Sequence, residues 1–314
     1  MKGIRIGISL GDLGGEGATA ALEASVQQFS RAEAAGFKTA WVPNIFSFDA
    51  MTLLALAGSR TRSIELGTAV VPTFSRHPFY MAQQALSTAA ATGGRFVLGL
   101  GPSHKVVIEN MLGLSFDKVA QHVEEYVRVV KALVETGKVA FQGQCYRVNA
   151  ALQIASARPF PVLIGGLGPR MRKIAATLAD GTITWMAGRR TIGETLAPQM
   201  HAAARAAGRK DSPRIVCGLP VVVTSDAAGA REAASKSFAI YGQLPSYRAM
   251  LDLEGAKGPG DVAVAGDARE VERQIEALAA AGVTDLNAAL FPYGPDAKAS
   301  FERTYEVLAE LARQ

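Results

Sequence analysis

"FSRHPFYMAQQALSTAAATGGRFVLGLGPSHK", residues 74–105, decides the reading of the fold. It enters on Arg76-His77-Pro78, and proline is well tolerated in the first turn of a helix, where its missing N–H has no partner to lose. An Ala-rich helix follows over 78–93 and stops at Gly93-Gly94. The chain re-emerges as the strand Arg95–Gly101 and ends in a glycine turn carrying Ser103 and His104. That strand is apolar at consecutive rather than alternate positions, so it needs cover on both faces, as in a parallel sheet.

The same unit repeats in both directions. Strands are expected at 4–10, 39–44, 63–71, 95–101, 160–166, 181–186, 214–224 and 284–290. Helical spacing appears at 18–37, 49–60, 78–93, 117–136, 169–179, 193–208, 227–243, 268–282 and 297–313. The clearest helix is 117–136, with Val119, Val123, Tyr126, Val127, Val130 and Leu133 on one face. Two segments interrupt the series. Residues 138–149 alternate about a Gln-Gly turn and read as a β-hairpin inserted after helix 4, and 244–266 read as an irregular insertion between strands 7 and 8. Its glycines, Gly255, Gly258 and Gly260, suit a hinged lid as well as a plain surface insertion. Eight βα repeats point to an α/β protein, a (β/α)8 TIM barrel, as a single domain over 1–314. An open doubly wound sheet calls for GxGxxG after the first strand, and "LGDLGGEG" (10–17) lacks that spacing.

Composition narrows the function. The 314 residues are 49% hydrophobic and 19% charged, enough for a large core and unlike a disordered chain. The formal charge of +5 suits an anionic small molecule, but the basic residues are dispersed, which argues against nucleic acid as a partner. Cys145 and Cys217 stand alone, with no CxxC and no Cys/His cluster, so no metal site is expected and a reducing, cytoplasmic setting is the default. No stretch approaches the roughly 18 apolar residues of a membrane span, so no membrane partner is expected.

Barrel enzymes carry their chemistry at the C-terminal ends of the strands. That rule selects Gly11 and Asp12, Asn44 to Phe46, Thr68 to Val71, Gly101 to His104, Gly165 to Pro169, and Trp185. In "GLGPRM" (166–171) glycines precede a helix start, a combination that lets backbone N–H groups meet an anion; Arg170 and Arg172 stand ready to add charge. An ordinary strand-to-helix turn has the same pattern. His104 is a candidate proton carrier and Ser103 a hydroxyl donor. His77 reads as a residue that fixes its loop.

Taken together, "LGTAVVP" (66–72), "RHP" (76–78), "GGRFVLGLG" (93–101) and "PVLIGGLGPRMRKIAATLADGTITW" (161–185) resemble the bacterial-luciferase-like superfamily, over nearly the whole chain. "GLGPSHKVVIENMLGLSFDKVAQHVEEY" (99–126) is similar to its coenzyme F420-dependent subgroup. The resemblance implies a bulge at Thr68, Ala69 and Val70 behind the deazaflavin ring, with a cis peptide at Ala69–Val70. It implies that Gly165, Gly166, Leu167, Gly168 and Pro169 hold the coenzyme phosphate. Gly101, Pro102, Ser103 and His104 line the coenzyme, with Trp185 also at the site. The acid and His that sugar-phosphate and alcohol dehydrogenases of the family carry after strand 2 are replaced by Asn44-Ile45, and His104 stands where they carry Glu. His104 and Asn44 are therefore the catalytic candidates.

The resulting expectation is an F420-dependent oxidoreductase moving a hydride between the deazaflavin and a small, partly apolar organic substrate. Phe46, Phe48, Phe74, Trp185 and either Tyr241 or Tyr247 are candidates for the pocket wall, with Phe48 read rather as a core residue. The alternatives are an FMN-dependent monooxygenase using molecular oxygen, and a non-catalytic coenzyme-binding barrel. Many members of the family are dimers, so a homodimer is expected; the apolar stretch 50–58 fits a subunit contact or a buried helix.

Overall fold

The computed structural model describes residues 3–11, 17–154 and 159–314, so Asp12 lies outside the described residues. The strands are β1 (Arg5–Ser9), β2 (Thr39–Val42), β3 (Glu65–Thr68), β4 (Val71–Pro72), β5 (Phe96–Gly101), β6 (Lys138–Gln142), β7 (Arg147–Ala151), β8 (Val162–Ile164), β9 (Gly181–Trp185), β10 (Arg214–Val223), β11 (Val264–Gly266) and β12 (Asp285–Leu290). The helices are α1 (Ala18–Ala35), α2 (Ala50–Arg60), α3 (Pro78–Ala91), α4 (Val119–Thr136), α5 (Pro169–Thr177), α6 (Arg189–Thr191), α7 (Ala197–Ala206), α8 (Ala227–Ser237), α9 (Ala239–Gln243), α10 (Pro245–Glu254), α11 (Ala268–Ala280) and α12 (Ala297–Arg313).

Pairing runs β12–β1–β2–β3–β5–β8–β9–β10, and β10 returns to β12, so eight parallel strands close as the expected (β/α)8 barrel. The register places Gly7 and Gly218 on either side of Asn287. β5 is buried at every position, which is why its sequence does not alternate. Aspartates start four of the helices: Asp49, Asp226, Asp267 and Asp296 each accept the N–H three residues on, all at 2.9 Å. The hairpin forms as expected, with Lys138 opposite Ala151 and Gln142 opposite Arg147.

The strand expected over 63–71 is broken into β3 and β4 at the bulge that the resemblance implied, and the Ala69–Val70 peptide between them is cis, as expected. Two further stretches differ from expectation in detail. The helix expected over 227–243 divides at Phe238 into α8 and α9. Residues 244–266 are more regular than their glycines suggest: α10 buries Met250 and Leu251, ends at Gly255 with φ +77°, and leads into β11. A Cβ at Gly260 would lie 1.9 Å from the Arg231 carbonyl oxygen, so that glycine allows close packing rather than hinging.

The chain divides into two compact units. One comprises Met1–Ser9, Ala32–Ala40 and Ile183–Gln314, the other Leu10–Arg31 and Trp41–Thr182. In the first, the buried Asp285 carboxylate is held by Arg214, at 2.9 and 2.7 Å, and by Arg5 at 2.7 Å. In the second, Trp41 is fully buried over Gly67, where a Cβ would come within 2.3 Å of the indole. There α2 turns Met51, Leu53, Leu54 and Ala57 into the core, which assigns the apolar stretch 50–58 mainly to burial.

Candidate active site

The break after β3 is built by side chains on both sides of it. The Thr68 hydroxyl donates to the Gly99 carbonyl at 2.9 Å and accepts from the Gly99 N–H at 2.8 Å. The single O–H of that hydroxyl is spent on tying β3 to β5, so Thr68 contributes backbone shape rather than a free donor. The Ala69 N–H donates to the Val42 carbonyl at 2.8 Å. Beyond it Ala69 and Val70 are only partly buried. Val70 is gripped by two glycines: a Cβ on Gly101 would lie 2.6 Å from Val70 Cγ2, and one on Gly165 would lie 3.1 Å from Val70 Cγ1. The bulge, the end of β5 and the turn after β8 therefore meet at one valine.

From Gly101 the chain passes through Pro102 to Ser103, which holds φ +63°, and then to His104. The His104 carbonyl accepts from the N–H groups of Val107 and Ile108, at 2.9 and 3.0 Å, and so anchors the π-helical turn Val106–Met111. Burial pushes the His104 imidazole below its ordinary pKa, so it is neutral at pH 7. Asn44 is committed in part: its Oδ1 accepts the Ala50 N–H at 2.9 Å, at the start of α2.

The turn after β8 carries the features of an anion cradle. Gly166 is required because a Cβ there would strike Met171 at 2.6 Å. Leu167 is buried, Gly168 precedes α5 with no side chain capping the helix, and Pro169 occupies its first position. Nothing lies within 4 Å of a Cβ placed on Gly168. Arg172 is buried; its Nη1 donates to the Leu167 carbonyl at 3.0 Å, and its Nε has no hydrogen-bond partner among the described residues. Arg170, by contrast, turns away to Gln121 and Glu124 on α4. The uncapped helix start, the open space and the buried guanidinium fit a phosphate.

Trp185, at the end of β9, belongs to the other unit. There it meets Phe238 and Tyr241 edge to face at 5.8 and 5.6 Å, and Tyr241 meets Tyr247 at 5.3 Å. Of the other aromatic candidates, Phe46 is 72% exposed, Phe48 is half-buried, and Phe74 packs on Phe116 and His122. His77 fixes its loop as expected, accepting the Phe79 N–H through Nδ1 at 3.2 Å.

Two buried polar residues beside the site were not picked out from the sequence. His122 bonds Thr73 Oγ1 through Nε2 at 2.9 Å and the Tyr146 hydroxyl through Nδ1 at 3.2 Å. Burial lowers its pKa to about 4 against an opposing pull from Glu125. Glu125 accepts three successive N–H groups of the hairpin turn, those of Gln144, Cys145 and Tyr146, at 2.8, 2.8 and 2.9 Å. Burial raises its pKa, and these bonds with one from Gln121 outweigh that and leave it lowered. The available signal was positional: both residues fall on the apolar face of α4 with Tyr126 and Val129. Among the described residues no His, Cys, Asp or Glu group could hold a metal ion, and no helix is long and apolar enough to cross a membrane.

Comparison with known proteins agrees with this architecture. A 5,10-methylenetetrahydromethanopterin reductase of Archaeoglobus fulgidus is 28% identical over 305 residues, covering 86% of this chain and 90% of that protein. The solved coenzyme F420-dependent tetrahydromethanopterin reductase of Methanopyrus kandleri is similar in fold, with a TM-score of 0.74 and 22% identity over 98% of this chain and 97% of that one. A monooxygenase from Streptomyces bottropensis gives a TM-score of 0.78 at 21% identity, covering 98% of each chain. The luciferase-like monooxygenase family model matches residues 6–296, and the chain belongs to that family.

Proposed function

We propose that the protein is a coenzyme F420-dependent oxidoreductase acting on a small, partly apolar organic substrate. The observation that carries this reading is the grip on Val70 by Gly101 and Gly165, which brings the bulge, the His104 loop and the cradle before α5 together in one unit. A coenzyme F420-dependent oxidoreductase and an F420-dependent dehydrogenase among the relatives similar to this chain, by their names, support the deazaflavin over FMN.

When bound, the coenzyme supplies hydride chemistry at its ring. The chain's part is position and charge. The backbone from Gly166 to Gly168 and the first N–H groups of α5 bind the phosphate, and Arg172 adds a cation with one N–H to spare. Ala69 and Val70 form the wall behind the ring. His104, neutral at pH 7, is the candidate carrier of a substrate proton on this loop. Asn44, with Oδ1 engaged by Ala50, presents its amide N–H groups. The same reading includes a homodimer, which light scattering tests; Val106, Met111 and Leu112 expose apolar surface on one segment.

The deciding experiment is a fluorescence titration of the apoprotein with F420, and with FMN in parallel. Tight F420 binding and weak FMN binding are expected. The reverse assigns a flavin monooxygenase and makes oxygen consumption the next assay; binding of F420 without reduction of any acceptor leaves the coenzyme-binding barrel.

A further inference from the structure

Trp185 Nε1 and Asn287 Oδ1, both buried in the unit formed by Met1–Ser9, Ala32–Ala40 and Ile183–Gln314, have no hydrogen-bond partner among the described residues. One is a donor and the other an acceptor. Asn287 is 6% exposed and stands in the middle of β12, where asparagine is an unfavourable strand residue that is normally paired when buried.

Both side chains border the same glycine. Gly218 is the register partner of Asn287 on β10, and a Cβ at Gly218 would lie 3.0 Å from Trp185 Cε3 and 3.7 Å from Asn287 Nδ2. The other register partner of Asn287, Gly7 on β1, also has no side chain. Neither register partner of Asn287 therefore has a side chain with which to pair the amide oxygen. Around the indole stand Phe238 and Tyr241, with Tyr247 behind Tyr241. The surroundings so named are uncharged.

We propose that Trp185 Nε1 and Asn287 Oδ1 form a neutral polar subsite, walled by aromatic rings, that takes a hydroxyl group on an apolar body. A hydroxyl satisfies both atoms, accepting from the indole and donating to the amide oxygen. A ketone accepts only and leaves Asn287 Oδ1 unpaired. A carboxylate sets a negative charge against that same oxygen with no cation among the named neighbours. Identifying the hydroxyl as the substrate's rests on the proposed function; the subsite itself does not.

The test uses 15N-labelled protein and the indole N–H resonances of Trp41 and Trp185, assigned with Trp185→Phe. Cyclohexanol, cyclohexanone and cyclohexanecarboxylate are the probes. Cyclohexanol is expected to shift the Trp185 resonance saturably, with the ketone and the carboxylate binding at least about ten-fold more weakly. Asn287→Leu, close in volume, is expected to abolish that preference while leaving the melting temperature equal or higher, because an unpaired buried acceptor has been replaced by an apolar group. An absent shift, or an equal response to all three probes, overturns the proposal. So does a destabilised Asn287→Leu that keeps the preference, which would make Asn287 a structural residue. An F420 titration of the same sample separates the two readings. Failure of F420 binding with the cyclohexanol shift intact overturns the cofactor assignment alone; F420 binding without the shift overturns the subsite alone.

Discussion

The imidazole of His122 lies flat on the ring of Phe74, centroids 3.7 Å apart and planes 4° from parallel. With its bonds to Thr73 and Tyr146, this one ring joins the segment after β4 to the hairpin that follows α4. Each partner is satisfied by a neutral imidazole, and burial keeps it neutral.

A pH dependence of stability follows. The folded pKa of His122 is lowered to about 4 from an ordinary 6.5, so between those values the unfolded chain binds the extra proton. Its contribution is therefore complete above pH 6.5 and falls as the pH drops towards 4, by about 3 kcal/mol at most. His122→Phe keeps a ring against Phe74 and removes the titration. Urea midpoints at pH 7.5 and pH 5 are expected to differ less in the variant than in the parent. The variant should also be weaker at pH 7.5 by about 1–3 kcal/mol, from the unpaired Thr73 hydroxyl.

Glu125 holds the hairpin turn by charge. Its Oε2 alone accepts the N–H groups of both Cys145 and Tyr146, and Oε1 those of Gln144 and Gln121. Glu125→Gln turns an amide NH2 towards at least one backbone N–H and loses charge-assisted bonds, at a cost of about 2–4 kcal/mol. Limited proteolysis should then cut near 143–146, where the parent resists. An uncut turn and an unchanged melting temperature would mean that the β6–β7 pairing holds the turn without this carboxylate.

Neither His122 nor Glu125 stands out in the sequence, whereas much around them does. The consecutive apolar residues of β5 declare a strand covered on both faces, and Arg-His-Pro declares the start of α3, whereas the cap that His77 makes with the Phe79 N–H is seen only in the structure. The glycines at 101, 165 and 166 mark close approaches at the site, and the structure names Val70 and Met171 as what approaches. A polar residue on the apolar face of α4 takes its meaning from partners far along the chain, such as Thr73, and no local pattern encodes those. Helix α10 was hidden for another reason: glycines at 242, 255, 258 and 260 mask a ten-residue segment with only two buried apolar positions. The use of Asn44 Oδ1 by Ala50 was likewise a matter of loop geometry rather than of residue type.

Asp285 predicts a stability effect within the unit that does not contain the cradle before α5. It is fully buried and shared by Arg5 and Arg214, with Thr284 Oγ1 donating to it at 2.7 Å. Asp285→Asn removes the charge between two guanidinium groups and should destabilise by about 3–5 kcal/mol, somewhat less because Arg5 is partly exposed. Chemical denaturation measures the loss. Coenzyme affinity, measured where the variant is still folded, should be unchanged.

Two glycines separate shape from obstruction at the cradle. Alanine at Gly101 forces its methyl to 2.6 Å from Val70 Cγ2, so Val70 or β5 must shift, and the melting temperature should fall by several degrees. Valine at Gly168 meets nothing within 4 Å, and the backbone there, φ −69° and ψ 157°, suits a β-branched residue. Gly168→Val should therefore fold and melt like the parent. Both substitutions are expected to weaken F420 binding by at least ten-fold, about 1.4 kcal/mol. Gly101→Ala does so by moving the wall behind the ring, and Gly168→Val by filling the approach to α5. Fluorescence titration beside a melting curve distinguishes them. An unchanged dissociation constant for Gly168→Val in a protein of parental stability would place the phosphate away from α5. The same result for Gly101→Ala would remove Val70 from the coenzyme wall.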